Sequence, residues 1–440
     1  MRKKSSVQDL QVGMYLQEVG GSWIKNPFWR SRFLVSDPQQ IATIKASGIR
    51  EVWIDTGKGT DVGAAALSNT GAPALAIPSG QLPPSRGAVP ITEELARAAH
   101  VCAQSKEAVA SMFREARMGN VVDLQGVSEV VQEISDSLAR NDRALISLAR
   151  LKTADDYTYM HSVAVCAMMA ALARQLGLPE GEVRAAGIAG LLHDMGKALL
   201  PMELLNKPGK LTPAEFAVVR THPERGHRLL SKGGNVDAMA LDVCLHHHEK
   251  FDGSGYPKGL KDAQISLHAK MGGVCDVYDA ITSNRPYKTG WDPAESMRMM
   301  GQWATDGHFD PAVFQVFVRS MGIYPVGSLV RLQSGRIGVV VDQAPSSPTA
   351  PVVKVFFDSN TLQRIGPHTL NLSDAAVAEK IVAREDPAKW NFADLNPLWS
   401  GLPQRDPTSP VDRPSTLRLI DYPSRFALRC YEPSARPGGS

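Results

Sequence analysis

Three consecutive histidines, His246-His247-His248, stand directly before Glu249 and the turn-forming run Asp252-Gly253-Ser254-Gly255-Tyr256-Pro257. Adjacent histidines are poor core residues, because each buried imidazole needs a polar partner. Ahead of a glycine-rich turn they read instead as metal ligands at the rim of a cavity. Other ligand-capable residues lie nearby in sequence: His161, His193-Asp194 in the string HDMGK, His222, and Asp276. Nine of the eleven histidines fall between His161 and His308, which makes residues 150–320 the chemical part of the chain.

A chain of 440 residues has room for several structural units and a large core. Its 43% hydrophobic and 21% charged content fit a soluble globular protein. A formal net charge of +3 is near neutral for this length and argues against a nucleic-acid polymer as partner. The cysteines (Cys102, Cys166, Cys244, Cys275, Cys430) are scattered and never form a CxxC pair. That pattern excludes a disulfide framework and a thiolate zinc site, and it fits a reducing cytoplasm. The basic start is followed by Gln8, Asp9 and Gln11, where a signal peptide needs an apolar core. No stretch reaches the ~18 consecutive apolar residues of a membrane span; residues 185–200 come nearest and are broken by His193, Asp194 and Lys197. The expectation is a cytoplasmic protein without a membrane span.

The chain divides by pattern. Residues 1–56 read as a small α+β domain, with a turn into a strand at 9–16, a short helix opened by Asp37-Pro38, and a strand at 51–55. The aromatic-rich stretch 22–29 reads as the core of that domain. Residues 57–90 are rich in Gly, Ala, Ser and Pro with few large apolar side chains, a linker composition. Residues 91–152 show apolar side chains at helical spacing, from Val121 through Val127, Val131 and Ile134 to Leu138, and form a helical connector. A helical catalytic region over 153–322 follows, with helices near 155–176, 180–196, 213–232, 237–248, 264–284, 293–304 and 310–321. Thr212-Pro213-Ala214-Glu215 is a capping box, and Asp310-Pro311 repeats the cap-plus-proline device. Strand-like runs at 326–341 and 352–357 predict a β-rich appendage over 323–400. A Pro-rich tail, 401–440, ends the chain. The fold class is mainly α: a helical bundle with a small α+β domain before it and a small β appendage after it.

Hydrolysis of a phosphodiester needs a nucleophile at neutral pH, charge neutralisation on the phosphoryl oxygens and help for the leaving oxygen. Two metal ions about 3.5–4 Å apart supply all three by holding a bridging hydroxide. Such a pair needs a carboxylate that touches both ions and histidines in the outer positions. Asp194 suits the first role and His193 the second, at the end of an apolar helix carrying Ile188, Leu191 and Leu192. Lys197, three residues on, is placed to reach a substrate phosphate oxygen. A lone His100, His227 or His368 reads as an ordinary residue; the ordered set is what carries the signal.

Residues about 150–320 resemble an HD-GYP domain, a branch of the HD phosphohydrolase superfamily. The likeness rests on residues 157–162, His193-Asp194-Met195-Gly196-Lys197, Thr221-His222-Pro223, His247-His248-Glu249 with the DGSGYP turn, Asp276-Val277-Tyr278-Asp279-Ala280, and Arg285-Pro286-Tyr287-Lys288. The resemblance implies an all-helical phosphodiesterase that hydrolyses cyclic di-GMP, with pGpG or GMP as the end product, using iron or manganese. It assigns His161, His193, Asp194, His222, His247, His248 and Asp276 to metal, with Asp194 as the bridge. Asp194 and Lys197 are the catalytic residues it implies. Lys197, Arg285 and Lys288 would contact phosphates or guanine. Counting back from Glu249 leaves His246 outside the ligand set, and makes Glu249 a support for the loop. Some relatives hold a third metal with a glutamate one turn before the first histidine. Tyr157 stands there, so two divalent ions are expected. The resemblance also implies contact with diguanylate cyclase (GGDEF) proteins through the GYP loop. Residues 7–56 resemble, more loosely, an uncharacterised domain often fused ahead of HD-GYP domains, for which sensing or homodimer formation are the readings. Two alternatives stay open: a cyclic di-GMP-binding scaffold with slow catalysis, and a phosphodiesterase for another cyclic dinucleotide.

Overall fold

The computed structural model describes residues 2–19, 33–35, 41, 44–45, 51–56, 89–151, 157–205, 207, 211–283, 290–344, 347–392 and 394–401. The chain forms two compact units, Met1–Ile77 and Pro78–Ser440. In the first, strands β1 (Arg2–Ser6), β2 (Tyr15–Val19), β3 (Phe33–Leu34) and β4 (Glu51–Asp55) form an antiparallel sheet in the order β1-β4-β2-β3. Alternation along β4 turns Val52 and Ile54 inward, onto Val7, Leu10, Met14 and Leu16. Strand β1 is invisible to pattern reading, because Arg-Lys-Lys-Ser-Ser has no apolar alternation. A backbone ladder holds it in register with β4, from Arg2 opposite Asp55 to Ser6 opposite Glu51. The aromatic stretch at 22–29, the helix expected at Asp37, nearly all of the linker, and the tail after residue 401 lie outside the described residues.

The second unit is a helical bundle with a sheet at its C-terminal end, in keeping with the mainly α expectation. Helices α1 (Ile91–Met118), α2 (Leu124–Arg140) and α3 (Ala144–Ala149) lead into α4 (Tyr157–Gln175) and α5 (Glu180–Leu192). Then come α6 (Pro213–Val219), α7 (His222–Lys232), α8 (Ala238–His246), α9 (Leu267–Thr282), α10 (Pro293–Thr305) and α11 (Pro311–Met321). Helix α4 is buried continuously from Met160 to Ala173. Its sequence is apolar all round, as a helix with no solvent face requires. Helix α9 is its equally buried neighbour, from Ala269 onward apart from Lys270. Both predicted starts are present: Thr212 and Glu215 make the reciprocal capping box of α6, and Asp310 caps α11 ahead of Pro311.

Two expected helices are interrupted. The one over 213–232 breaks at Arg220-Thr221, because Pro223 cannot donate within a helix and fits only a first turn; α7 therefore starts afresh at His222. The one over 180–196 ends at Leu192 and continues as a 3-10 turn, Met195–Leu199. Both breaks fall at candidate ligands. The C-terminal strands β5 (Leu329–Leu332), β6 (Arg336–Ala344), β7 (Ser347–Asp358), β8 (Gln363–Asn371) and β9 (Ile381–Arg384) are antiparallel in the order β8-β7-β6-β5-β9. Strands β8 and β9 escaped pattern reading, and β8 explains why: it lies at the sheet edge, mostly exposed, with no apolar alternation. Among the described residues no helix is long and apolar enough to cross a membrane. Cys102, Cys166, Cys244 and Cys275 are free thiols.

One buried charge joins α1 to α2. Glu94 is fully buried and accepts hydrogen bonds from Ser137 Oγ at 2.8 Å and from Arg140 Nε and Nη2, each at 2.8 Å. Burial pushes its carboxyl up, but Arg140 and Ser137 outweigh that and hold it below the usual carboxylate range. The stabilisation is complete above the unfolded carboxyl value of about 4.3 and drains away as pH falls through the lower folded value. Glu94→Gln is expected to cost about 2 kcal/mol at pH 7 and to flatten this acid dependence. Denaturant unfolding at pH 7 and pH 4 checks it; an unchanged midpoint contradicts it.

Candidate metal centre

Five stretches of chain deliver seven polar side chains to one point. His161 lies in the first turns of α4, His193-Asp194 follow the end of α5, His222 opens α7, His247-His248 follow α8, and Asp276 sits within α9. None of the seven is more than 4% exposed. The convergence depends on a close backbone contact. A Cβ on Gly196 would lie 1.9 Å from His222 O, and one on Gly226 would lie 2.9 Å from Gly196 N. The strings HDMGK and HPERG therefore touch main chain to main chain, which side chains at those two positions would forbid. Arg225 Nη1 donates to Leu199 O at 3.0 Å and Arg117 Nε to Ala198 O at 3.3 Å, fixing the 3-10 turn that carries Lys197.

Asp194 lies at the middle. Its Oδ1 faces His222 Nε2 at 3.3 Å and His247 Nε2 at 3.8 Å. Its Oδ2 faces His193 Nε2 at 3.3 Å and His161 Nε2 at 3.5 Å, and accepts from Lys197 Nζ. Asp276 spans the same two sides, with Oδ1 at 3.1 Å from His161 Nε2 and Oδ2 at 3.8 Å from His248 Nδ1. Two ligand groups result: His222, His247 and His248 on one side, and His161, His193 and Asp276 on the other. A third group, His193, Asp194 and His247, joins them.

The rings are aimed. His193 Nδ1 meets Gly190 O at 2.7 Å, His222 Nδ1 meets Val219 O at 2.9 Å, and His247 Nδ1 meets Val243 O at 3.0 Å. An Nδ1–H donated to a fixed oxygen leaves Nε2 as a lone-pair donor turned into the site. Burial lowers the pKa of His222 and His248 and brings that of His247 down to about 3, so all three are neutral and ligand-ready at neutral pH. Burial pushes the Asp194 carboxyl up, but the Lys197 ammonium and then His193 hold it well below the usual range. Asp276 is likewise lowered against its burial, chiefly by the His161 hydrogen bond. Burial raises the Cys166, Cys244 and Cys275 thiols, which keeps them protonated. His222, His247 and His248 thus offer neutral imidazole, and Asp194 and Asp276 ionised carboxylate.

That set fits divalent metal. His193 Nε2, Asp194 Oδ1 and Asp276 Oδ2 are buried and make no well-formed hydrogen bond among the described residues. Buried polar atoms are otherwise almost always satisfied. Unsatisfied atoms within one buried His/Asp cluster are the groups that bound cations would satisfy.

The remaining expectations distribute as follows. Lys197 is buried against Asp194. His246 turns away from the cluster, its Nδ1 2.8 Å from Asp242 Oδ1. Glu249 supports the loop, accepting from Lys258 N at 2.6 Å and Leu260 N at 3.0 Å. Arg285, Lys288 and the Tyr157 side chain lie outside the described residues. One functional residue was passed over by sequence reasoning. Asp279 is fully buried, and its Oδ2 lies 2.6 Å from His161 Nδ1. The available signal was its spacing: three residues after Asp276 on a helix, it occupies the same face one turn on.

Comparison with known proteins divides the chain between two family models. An HD domain model matches residues 132–313, and a domain of unknown function (DUF3391) matches residues 2–127. The cyclic di-GMP phosphodiesterase PA4108 of Pseudomonas aeruginosa is 51% identical over 404 residues, covering 91% of this chain and 96% of that protein. The cyclic di-GMP phosphodiesterase response regulator RpfG of Xanthomonas campestris pv. campestris is 38% identical over 220 residues, 46% of this chain and 57% of that protein. The 3'3'-cGAMP-specific phosphodiesterase 1 of Vibrio cholerae is 35% identical over 168 residues, 38% of this chain and 39% of that protein.

Replacing Asp279 with Asn removes the anion that orients His161 and should weaken metal binding about tenfold or more, with helical content unchanged. His246→Ala should leave metal content unchanged. Metal titration with circular dichroism on both variants checks the pair; full affinity in Asp279→Asn, or metal loss in His246→Ala, contradicts it.

Proposed function

The chain belongs to the HD-domain phosphodiesterase family, and from that premise we propose that it hydrolyses cyclic di-GMP to linear pGpG at the His/Asp centre. One observation carries the reading: the two oxygens of Asp194 face two separate groups of ligand-capable side chains. A single carboxylate so placed is the shared ligand of a two-ion site. His222, His247 and His248 would hold one ion, and His161, His193 and Asp276 the other. The nitrogen and oxygen donors suit iron or manganese. Divalent ions bound there supply charge neutralisation at the phosphoryl oxygens and acidify water to near neutral pH.

The protein side chains do the rest. Burial of the seven ligands excludes bulk water, which strengthens each electrostatic interaction with an incoming phosphate. Lys197, held on Asp194, adds a fixed positive charge at the buried edge of the centre. Arg285 and Lys288 follow directly on α9, which carries Asp276, and we assign them to the substrate. A planar guanidinium forks onto the Hoogsteen edge of guanine, so Arg285 reads the base and Lys288 pairs with phosphate. Cyclic di-GMP is favoured as substrate by the relative that matches nearly the whole chain. The similarity to a 3'3'-cGAMP-specific enzyme supports a second reading, in which one guanine suffices.

Anaerobically purified, iron- or manganese-loaded protein is to be incubated with cyclic di-GMP, 3'3'-cGAMP and cyclic di-AMP, and the products separated by chromatography. The expected result is pGpG from the first, slower cleavage of the second and none of the third. Arg285→Ala should raise KM about tenfold with metal content unchanged. Equal cleavage of cyclic di-GMP and cyclic di-AMP rules out guanine reading. No cleavage with two ions bound puts the binding-scaffold alternative first.

A further inference from the structure

The tyrosine of the GYP turn is folded against the metal centre. The Tyr256 and His248 rings stack with centroids 4.7 Å apart and an interplanar angle of 25°. Arg220 Cζ lies 4.5 Å from the Tyr256 ring centroid. Tyr256 is buried as a result, whereas Arg220 is exposed. Tyr256 thus lies between a candidate ligand and a cation. An aromatic face binds a guanidinium through its quadrupole, and it packs well against a flat imidazole.

The loop leaves Tyr256 little freedom to be elsewhere. Tyr256 N donates to His248 O at 3.2 Å, so the turn returns onto the residue it departed from. Glu249 closes the following residues by accepting from Lys258 N and Leu260 N. Gly255 passes so close to the main chain of Glu249 and Lys250 that a Cβ there would lie 2.3 Å from Lys250 N. Arg220 is equally well placed by the chain. It ends α6 two residues before His222, and Arg225 Nε steadies that junction by donating to Thr221 Oγ1 at 2.9 Å. One short turn therefore delivers both a candidate ligand, His222, and the cation that covers Tyr256.

We propose that Tyr256 is a positioning residue: its ring holds the His248 imidazole in ligating orientation, and Arg220 holds Tyr256 in place. The turn is then part of the metal site. Around His248 stand three rings, those of His247 at 4.1 Å, Tyr256 at 4.7 Å and His222 at 5.0 Å between centroids. Two of these belong to its own ligand group. Tyr256 is the one that backs the group from outside, so its loss frees the His248 ring to rotate. The proposal rests on the two-ion reading above.

The test is metal binding to the full-length chain, read as ions per chain and as resistance to a competing chelator, with manganese as the probe. Wild type is measured first, with ferrous iron as a second probe; if it binds neither metal, the two-ion reading fails and this proposal falls with it. With wild type loaded, Tyr256→Leu should lose affinity about tenfold or more, while Tyr256→Phe, which keeps the ring, should stay within about twofold. Arg220→Ala should weaken binding in the same direction by a smaller factor, and Arg220→Lys should restore part of it. Arg220 is exposed, so its variants keep the test decisive if Tyr256→Leu does not fold. Wild-type chelator resistance in both Tyr256→Leu and Arg220→Ala overturns the proposal. So does a Tyr256→Leu variant that keeps its metal and loses only affinity for cyclic di-GMP, since Tyr256 would then act on the substrate.

Discussion

The structure is organised around an ionised carboxylate placed where carboxylates are most costly. Asp194 is almost wholly buried, and an isolated charge there would be driven to protonate. The Lys197 ammonium, in contact with it, offsets that cost and keeps it ionised. Surrounding the carboxylate brings four stretches of chain together, those of His161, His193-Asp194-Lys197, His222 and His247, and the bundle is arranged to permit it. Helices α4 and α9 are buried almost throughout, so their apolar sides supply the packing that the polar centre cannot. The glycine contact between HDMGK and HPERG is the geometric counterpart: without it, His222 could not reach the side of Asp194 opposite His161.

The C-terminal sheet belongs to this arrangement. Arg384 Nη2, on β9, lies 3.0 Å from Glu295 Oε2 in the first turn of α10. Arg150 Nη1 donates to Val326 O at 3.0 Å, ahead of β5. Trp291 N bonds Ile281 O at 2.8 Å, so the chain on either side of residues 284–289 is joined at its base. Ile281 and Trp291 thus meet at a point that the helical core closes and the sheet braces. A β appendage inferred from two strand-like runs turns out to be packed into the same compact unit as the centre.

Much of this was legible in the sequence, for definable reasons. The candidate ligands that the fold gathers into one cluster were readable because histidine pairs and an HD dipeptide have no comfortable place in an apolar core. Helix starts at Thr212 and Asp310 were readable because capping chemistry is local. What pattern reading lost was non-local. Strand β1 has no apolar alternation and owes its position to the β4 ladder, and β8 is an exposed edge. Asp279 looked like any helical aspartate until the fold placed it on His161. The helix break at Arg220-Thr221 was in principle readable from Pro223, yet apolar periodicity ran across it. Its consequence, a cation set beside Tyr256, appears only in three dimensions.

The central claim is that Asp194 joins two ions. Metal-edge anomalous diffraction from crystals of the manganese-loaded protein tests it most directly. The account predicts two peaks per chain, both in contact with Asp194, one beside His222, His247 and His248 and the other beside His161, His193 and Asp276. A single peak, or two peaks of which Asp194 touches only one, would contradict it.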